Sequence, residues 1–263
     1  MSYGLVIGLL AGGCGGILAA VAGVGGGLIY VPLFYLLIPL IDDTPVRMAL
    51  VMFASLVAVA ITGLFSARAH WRLGHVDLQV IRLLLPGLWL GAMVGLWSTL
   101  QLPEVLVLLA LAGLNGWIAN DYHGAIVEAR MTRRHLPWIA LLIGGSSGLL
   151  GIGGGTMMVP LLRRLVALRI AVGSSALAGA LMALGAVAGN LMLEPAWRTL
   201  LISHASLLGA LWLAILAVLP LSTRWGAKLH VRYSEQQMRW GLRGLFALLA
   251  GGYLLALLLR LSS

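Results

Sequence analysis

The sequence has little charge and almost no cysteine. Only 10% of its 263 residues are Asp, Glu, Lys or Arg, whereas soluble domains carry about 25%. Hydrophobic residues make up 61%. A water-soluble protein is therefore disfavoured, and so is intrinsic disorder, which requires polar and highly charged sequence. The single cysteine, Cys14, excludes an intramolecular disulfide and a cysteine-based zinc site.

Acidic residues are scarcer still, with 8 Asp and Glu against 17 Lys and Arg, and the net charge is +9. The basic residues are scattered between apolar runs instead of forming one stripe, so we predict no nucleic-acid partner. The motifs Gly-x-x-x-x-Gly-Lys-Ser/Thr and His-Glu-x-x-His are absent, and the histidines show no metal-ligand spacing. We therefore predict no catalytic residues, no metal site and no cofactor.

Long runs without Asp, Glu, Lys or Arg predict an all-α polytopic membrane protein in the lipid bilayer. A crossing takes about 20 apolar residues. Six runs suit one crossing each: 48–67, 83–103, 105–120, 170–193, 199–223 and 244–259. Two runs, 1–41 and 135–162, fit less simply, and each contains a triple glycine. We expect eight to ten membrane segments, and we expect the first to be retained because no basic segment precedes it.

The basic residues also predict the orientation. Four groups between the runs hold 14 of the 17 Lys and Arg, and the positive-inside rule places these groups in the cytoplasm. Both termini then lie outside. Tryptophans near the predicted span ends suit the membrane interfaces: Trp71, Trp97, Trp117, Trp138, Trp197, Trp225 and Trp240.

The two glycine-rich stretches form an internal repeat. Residues 24–33 and 152–161 are identical at six of ten positions, at an offset of 128 residues (Gly25 to Gly153). Each copy precedes three further spans, and three is odd, so the second copy starts from the opposite side of the membrane. We predict two inverted halves, 1–125 and 126–263. Many transporters follow this plan, with the substrate site near the midplane.

The triple glycines should interrupt their helices, because glycine is unfavourable inside a helix. The chain should restart as helix at about Leu28 and Thr156, with N–H groups that lack partners and carry partial positive charge. Two such N-termini brought together would bind an anion. The predicted binding residues are Gly25, Gly26, Gly27, Leu28, Gly153, Gly154, Gly155 and Thr156. Helix packing is the alternative, and we prefer it for glycines spaced by four such as Gly4 and Gly8.

A few polar residues lie within or beside the spans. Ser174 and Ser175 begin a span and could donate hydrogen bonds to an anion or cap the helix; we include both in the predicted site. Ser146 and Ser147 are further candidates. His204 suggests either a proton relay or an interfacial position. Two other classes remain open: a membrane enzyme that uses His204 and Glu194, and a scaffold without transport.

The repeated Gly-Gly-Gly-x-x-x-Val-Pro-Leu blocks resemble the TauE/SafE family of sulfite exporters. Residues 71–77 and 171–176 are similar to two other segments of that family. The resemblance implies a multi-pass permease of the bacterial inner membrane that carries sulfite or a small organosulfur anion by alternating access and is not an enzyme. The resemblance is compatible with a homo-oligomer as well as with a monomer. Residues 49–54 are apolar where the family suggests Gly-Thr-Ser, so Ser55 or Thr62 would supply the nearest hydroxyls in the first half.

Overall fold

The computed structural model describes residues 2–22, 26–38, 47–121, 135–162, 165–232 and 235–262. These residues form eleven helices and no strand. The helices are α1 (Ser2–Ala22), α2 (Gly27–Leu37), α3 (Arg47–Arg72), α4 (Leu78–Ser98), α5 (Glu104–Asp121), α6 (Leu136–Leu150), α7 (Gly155–Leu162), α8 (Leu168–Leu193), α9 (Pro195–Ser203), α10 (Ala205–Arg232) and α11 (Glu235–Ser262).

Six of these helices are long and apolar enough to cross a membrane. The six candidate spans are Tyr3–Ala20, Met48–Arg72, Leu78–Ser98, Arg169–Leu193, Ala205–Gly226 and Arg243–Arg260. Three shorter apolar helices accompany them, at Gly27–Leu37, Glu104–Asn120 and Leu136–Leu150. The predicted all-α, multi-pass membrane fold is therefore confirmed.

Several helix boundaries differ from those predicted from charge, and two of them have a visible cause. α4 begins at Leu78 instead of residue 83 because Asp77 caps it: one carboxylate oxygen accepts from the N–H groups of Gln79, at 2.9 Å, and Val80, at 3.2 Å. Because the helix begins at this cap, it includes Arg82, which the charge pattern had placed outside the span. The run predicted at 199–223 is divided at His204 into α9 and α10.

Glycines spaced by four join α1 to α10. A Cβ added to any of them would lie too close to α10, so each permits a close approach of the two helices. The facing pairs are Gly4 with Leu207, Gly8 with Leu211, Gly12 with Ile215 and Gly16 with Ser222. Residue numbers rise together along both helices, so α1 and α10 are parallel. The predicted packing role of these glycines is confirmed.

A second glycine seam joins α4 to α6 in the same way. The facing pairs are Gly87 with Pro137, Gly91 with Leu141 and Gly95 with Gly145. These two helices are also parallel, because the numbers again rise together. In both seams one helix precedes residue 125 and the other follows it, so the seams join the two predicted halves.

The helix pairings map onto one another when the two halves are exchanged. The α1–α10 seam then corresponds to the α4–α6 seam, while the pairs α3–α8 and α5–α11 map onto themselves. Two tryptophans repeat this correspondence: the indole N–H of Trp89 donates to the carbonyl of Leu181 at 2.6 Å, and that of Trp212 to the carbonyl of Ala54 at 3.1 Å. The core thus has the form of a two-fold arrangement.

Candidate functional site

Both glycine blocks interrupt the helices. α1 ends at Ala22 and α2 begins at Gly27, while α6 ends at Leu150 and α7 begins at Gly155. We call Gly26–Leu28 the first elbow and residues 151–156 the second elbow. Positive φ angles of 76° at Gly26, 63° at Gly151 and 70° at Gly153 need glycine. Each helix restarts one residue earlier than predicted, and Gly25 lies outside the described residues.

The two elbows contact each other in the interior. A Cβ added to Gly27 would overlap the backbone carbonyl of Ile152. Ile152 and Leu28 are buried, with only 1% and 2% exposure. Because any side chain at position 27 would separate the elbows, glycine is the residue that permits this contact.

The second elbow leaves amide donors in the interior. The carbonyl of Gly154 accepts from the N–H groups of Met157, at 3.2 Å, and Met158, at 2.7 Å. Within the described part of the chain, nothing accepts a hydrogen bond from the N–H of Gly154, Gly155 or Thr156. Thr156 is buried, and its hydroxyl oxygen also has no partner among the described residues. The start of α7 is therefore a cluster of unpaired donors.

The first elbow has a related geometry. The carbonyl of Gly26 accepts from the N–H groups of Ile29, at 3.0 Å, and Tyr30, at 3.2 Å. Gly26 is the N-cap of α2, and no side chain caps this terminus. The first N–H groups of a helix have no acceptor within the helix. Both elbows thus present a helix N-terminus to the interior.

Helix α8 lines the second elbow at Gly179. A Cβ added there would lie 3.8 Å from the nitrogen of Gly154 and 3.9 Å from that of Gly155. Ser175 lies one turn before Gly179 on the same face of α8. The Ser175 hydroxyl donates to the carbonyl of Val172 at 2.9 Å. Ser175 is therefore near the amide cluster, with its proton already donated within its own helix.

Hydroxyls of the first half support the elbows. The Thr62 hydroxyl donates its proton to the carbonyl of Ala58 at 2.8 Å. Because that proton is used, the Tyr30 hydroxyl is the donor in its 2.5 Å hydrogen bond with Thr62. The Tyr30 ring lies against Gly26. Ser55 donates to the carbonyl of Gly151 at 2.6 Å. Thr62 and Ser55 thus hold one elbow each.

Ser174 anchors a loop. Its hydroxyl oxygen accepts from the N–H of Asp77 at 2.9 Å, and a Cβ on Gly173 would overlap the carbonyl of His75. The segments 71–77 and 171–176 therefore dock onto one another. This contact gives Ser174 a structural partner that the sequence interpretation had not anticipated.

The polar side chains of α9 do not converge on one site. Glu194 caps the start of the helix, accepting from the N–H of Ala196 at 3.4 Å, while His204 follows its last residue. Nine residues of helix separate them, or about 13 Å. Trp197, predicted to lie at the interface, is instead buried and stacked on Phe53 at a centroid distance of 5.3 Å. The α9 packing against the core explains this difference.

The sequence interpretation did not anticipate the contacts of Trp89 and Trp212. Both donate to backbone carbonyls of the central helices α3 and α8, which line the elbows. Their position inside uncharged runs, away from the run ends, was the available signal. No carboxylate, histidine, lysine or arginine side chain is buried among the described residues. Any charge held at the elbows would therefore be stabilised by backbone and hydroxyl donors.

This architecture is that of a multi-pass membrane protein whose interrupted helices meet in the interior, as in secondary transporters. The family model for the sulfite exporter TauE/SafE matches residues 8–253, and the chain belongs to this family. A protein of Haemophilus influenzae described as "Probable membrane transporter protein" is 33% identical over 182 residues, covering 66% of this chain and 69% of the relative. No solved structure matches the chain. Family and relative identify a membrane transporter and point away from an enzyme.

Proposed function

We propose that the protein is a secondary transporter that carries a small anion, sulfite or an organosulfonate, across the bacterial inner membrane. The contact between the two elbows is the observation that carries this proposal. It sets Gly27, the first residue of α2, against Ile152, three residues before the start of α7. The amide N–H groups of the two N-termini would together bind one anion there. The binding residues would be Gly25–Leu28 and Gly153–Thr156, with a contribution from Ser174 and Ser175.

The charge at the elbows supports an anion of low charge. A helix N-terminus carries roughly half a positive elementary charge, so two of them supply about one. No buried basic side chain among the described residues adds to this. A site built from dipoles and hydrogen-bond donors binds without a fixed countercharge, which leaves the anion free to depart.

Alternating access would use the two halves, residues 1–125 and 126–263. Each glycine seam pairs one helix from each half, and the elbows contact each other at Gly27 and Ile152. Movement of one half against the other would open the elbows to each side of the membrane in turn. The sequence carries no nucleotide-binding motif of the Walker type, so a gradient would drive the flux.

The test is flux in liposomes containing the purified protein. We expect uptake of sulfite or sulfoacetate above that of protein-free liposomes, with no uptake of choline or of uncharged solutes. Flux confined to cations or uncharged solutes would show the proposal to be wrong.

A glycine variant locates the site. Gly154→Leu would place its side chain beside the amide cluster, where the added Cβ meets the flexible end of Met158. We expect at least a tenfold loss of anion flux. Gly116→Leu on α5 is the matched control, because a Cβ there meets nothing within 4 Å. Equal flux in a folded Gly154→Leu variant would remove the second elbow from the proposal.

A further inference from the structure

Most of the buried serine and threonine hydroxyls in the described residues have a hydrogen-bond partner. Ser55, Thr62, Thr99, Ser175 and Ser222 donate to backbone carbonyls, and Ser174 accepts from a backbone N–H. Two hydroxyls are exceptions, those of Ser147 and Thr156. Their residues are 0% and 6% exposed. Buried hydroxyls without partners cost stability, so this pair needs an explanation.

Both exceptions lie in the second broken hairpin. Thr156 is in the first turn of α7, next to the unpaired amides of Gly154 and Gly155. Ser147 lies on α6 one turn before Gly151, where the elbow begins. Two further buried polar atoms without described partners, Asn115 Oδ1 and Trp197 Nε1, belong to α5 and α9. The unpaired hydroxyls are therefore specific to this hairpin.

Local helix geometry does not explain the unpaired hydroxyl of Ser147. A helical serine readily donates to the carbonyl three or four residues before it. Its neighbour Ser146 does so, at 2.8 Å to Leu142 and 3.1 Å to Ile143. Ser147 sits in the same helix and makes no such bond to a described residue. Its donor is left available in a fully buried position.

The first half lacks both hydroxyls. At the repeat offset of 128 residues, Thr156 corresponds to Leu28 and Ser147 to Ala19, and both of these are buried apolar residues. The two elbows are therefore chemically different: the second carries hydroxyl and amide donors, and the first carries amides beside apolar side chains.

We propose that the hydroxyls of Ser147 and Thr156 donate hydrogen bonds to the oxygens of the transported anion, whose oxygen-bearing head lies at the second elbow. This inference rests on the proposed function and adds its side-chain ligands. Amide and hydroxyl donors together suit a head with several acceptor oxygens, as in a sulfonate or sulfite. The substrate's remaining part then faces Leu28 and the first elbow.

Isosteric variants test the assignment, with sulfite and sulfoacetate as probes and the full chain in detergent. We expect Thr156→Val and Ser147→Ala each to weaken binding at least tenfold. In the absence of anion their melting temperatures should be unchanged or higher, because each removes an unpaired buried hydroxyl. Thr156→Ser keeps the hydroxyl and should bind within about threefold of the native protein.

The control variants are Thr99→Val and Thr223→Val, whose hydroxyls donate to backbone carbonyls. Neither should change anion affinity more than twofold. If Thr156→Val and Ser147→Ala bind the probes as the native protein does, the inference is wrong while the transport proposal stands. Lower anion-free melting temperatures in both variants would assign the hydroxyls a structural role and overturn the inference. If the native protein binds and transports neither probe, the proposed function itself is wrong.

Discussion

Single glycines decide where two backbones can touch in this protein. Gly27 lets the first elbow meet the carbonyl of Ile152, and Gly173 lets α8 meet the loop carbonyl of His75. In each case the obstacle to a side chain is a backbone atom, which cannot rotate away. Other glycines, such as Gly116 on α5, face open space. The stability lost on substitution should therefore differ widely from one helical glycine to another.

Gly27→Ala should destabilise the protein by about 1–3 kcal/mol, because overpacking against fixed backbone forces a local shift. Gly116→Ala should be neutral or up to about 1 kcal/mol more stable, since alanine favours helix. Chemical unfolding in detergent measures both. Equal stability of the two variants would contradict the close contact of the elbows.

Residue chemistry made the elbows predictable, and the internal repeat suggested that they meet, but neither identified which residues touch. Three successive glycines with a following Val-Pro-Leu imply a break and a restart from local sequence alone. The contact of Gly27 with Ile152 joins positions half a chain apart, which no local pattern encodes. Ser174 shows the same limit: a hydroxyl at a helix start suggested a ligand for an anion, whereas its partner is the amide of Asp77, 97 residues earlier.

At the scale of helices, two kinds of contact hold the elements in place. Glycine seams join α1 to α10 and α4 to α6, and polar side chains fix the ends of shorter helices such as α2. The hydroxyl of Tyr35, near the end of α2, donates to Glu104 at 2.7 Å, and Glu104 accepts from Arg260 on α11 at 3.0 Å. α2 is thereby tied to the α5–α11 pair, at the end away from its elbow.

A seam substitution should be costly. Gly8→Ala places a methyl group against the carbonyl of Leu211 and the side chain of Ala214, so we expect a loss of about 1–3 kcal/mol. Gly13→Ala, five positions later in the same helix, meets nothing within 4 Å and should be neutral or slightly stabilising. Thermal unfolding of both variants gives the comparison. Similar melting temperatures would argue against the α1–α10 seam.

Loss of the Tyr35 contact should have a smaller effect. Tyr35→Phe removes the hydrogen bond to Glu104 and should lower stability by about 0.5–1.5 kcal/mol. Tyr3→Phe, at an exposed position, should change nothing. Urea-induced or thermal unfolding measures the stability of both variants. Identical unfolding curves would show that the Tyr35–Glu104 hydrogen bond contributes little.

For the whole molecule, assigning one loop to a side of the membrane fixes the direction of the other spans, because the parallel seams relate the two halves. The positive-inside rule predicts that the α3–α4 loop lies in the cytoplasm, and α4 would then lead to the outer face at Gln101. Charge counting predicted most spans, and the sidedness stays a prediction. Charge counting misplaced the start of α4, because a cap at Asp77 outweighs the cost of carrying Arg82 near the membrane surface.

Cysteine labelling tests this orientation in a Cys14→Ala background. Gln101→Cys should react with a membrane-impermeant maleimide in intact cells. Leu73→Cys, which is equally exposed in its loop, should react only after the membrane is permeabilised. The reverse pattern would invert the assigned topology, and labelling of both in intact cells would contradict the placement of α4 as a crossing.

The α1–α10 seam has a consequence for biosynthesis. Gly4 and its partner Leu207 are 203 residues apart in the chain. A ribosome adds about 5–20 residues per second, so α10 is synthesised on the order of ten seconds or more after α1. During that interval the glycine face of α1 rests against lipid or the insertion machinery. Nascent chains truncated before α10 should therefore be early targets for quality-control proteases.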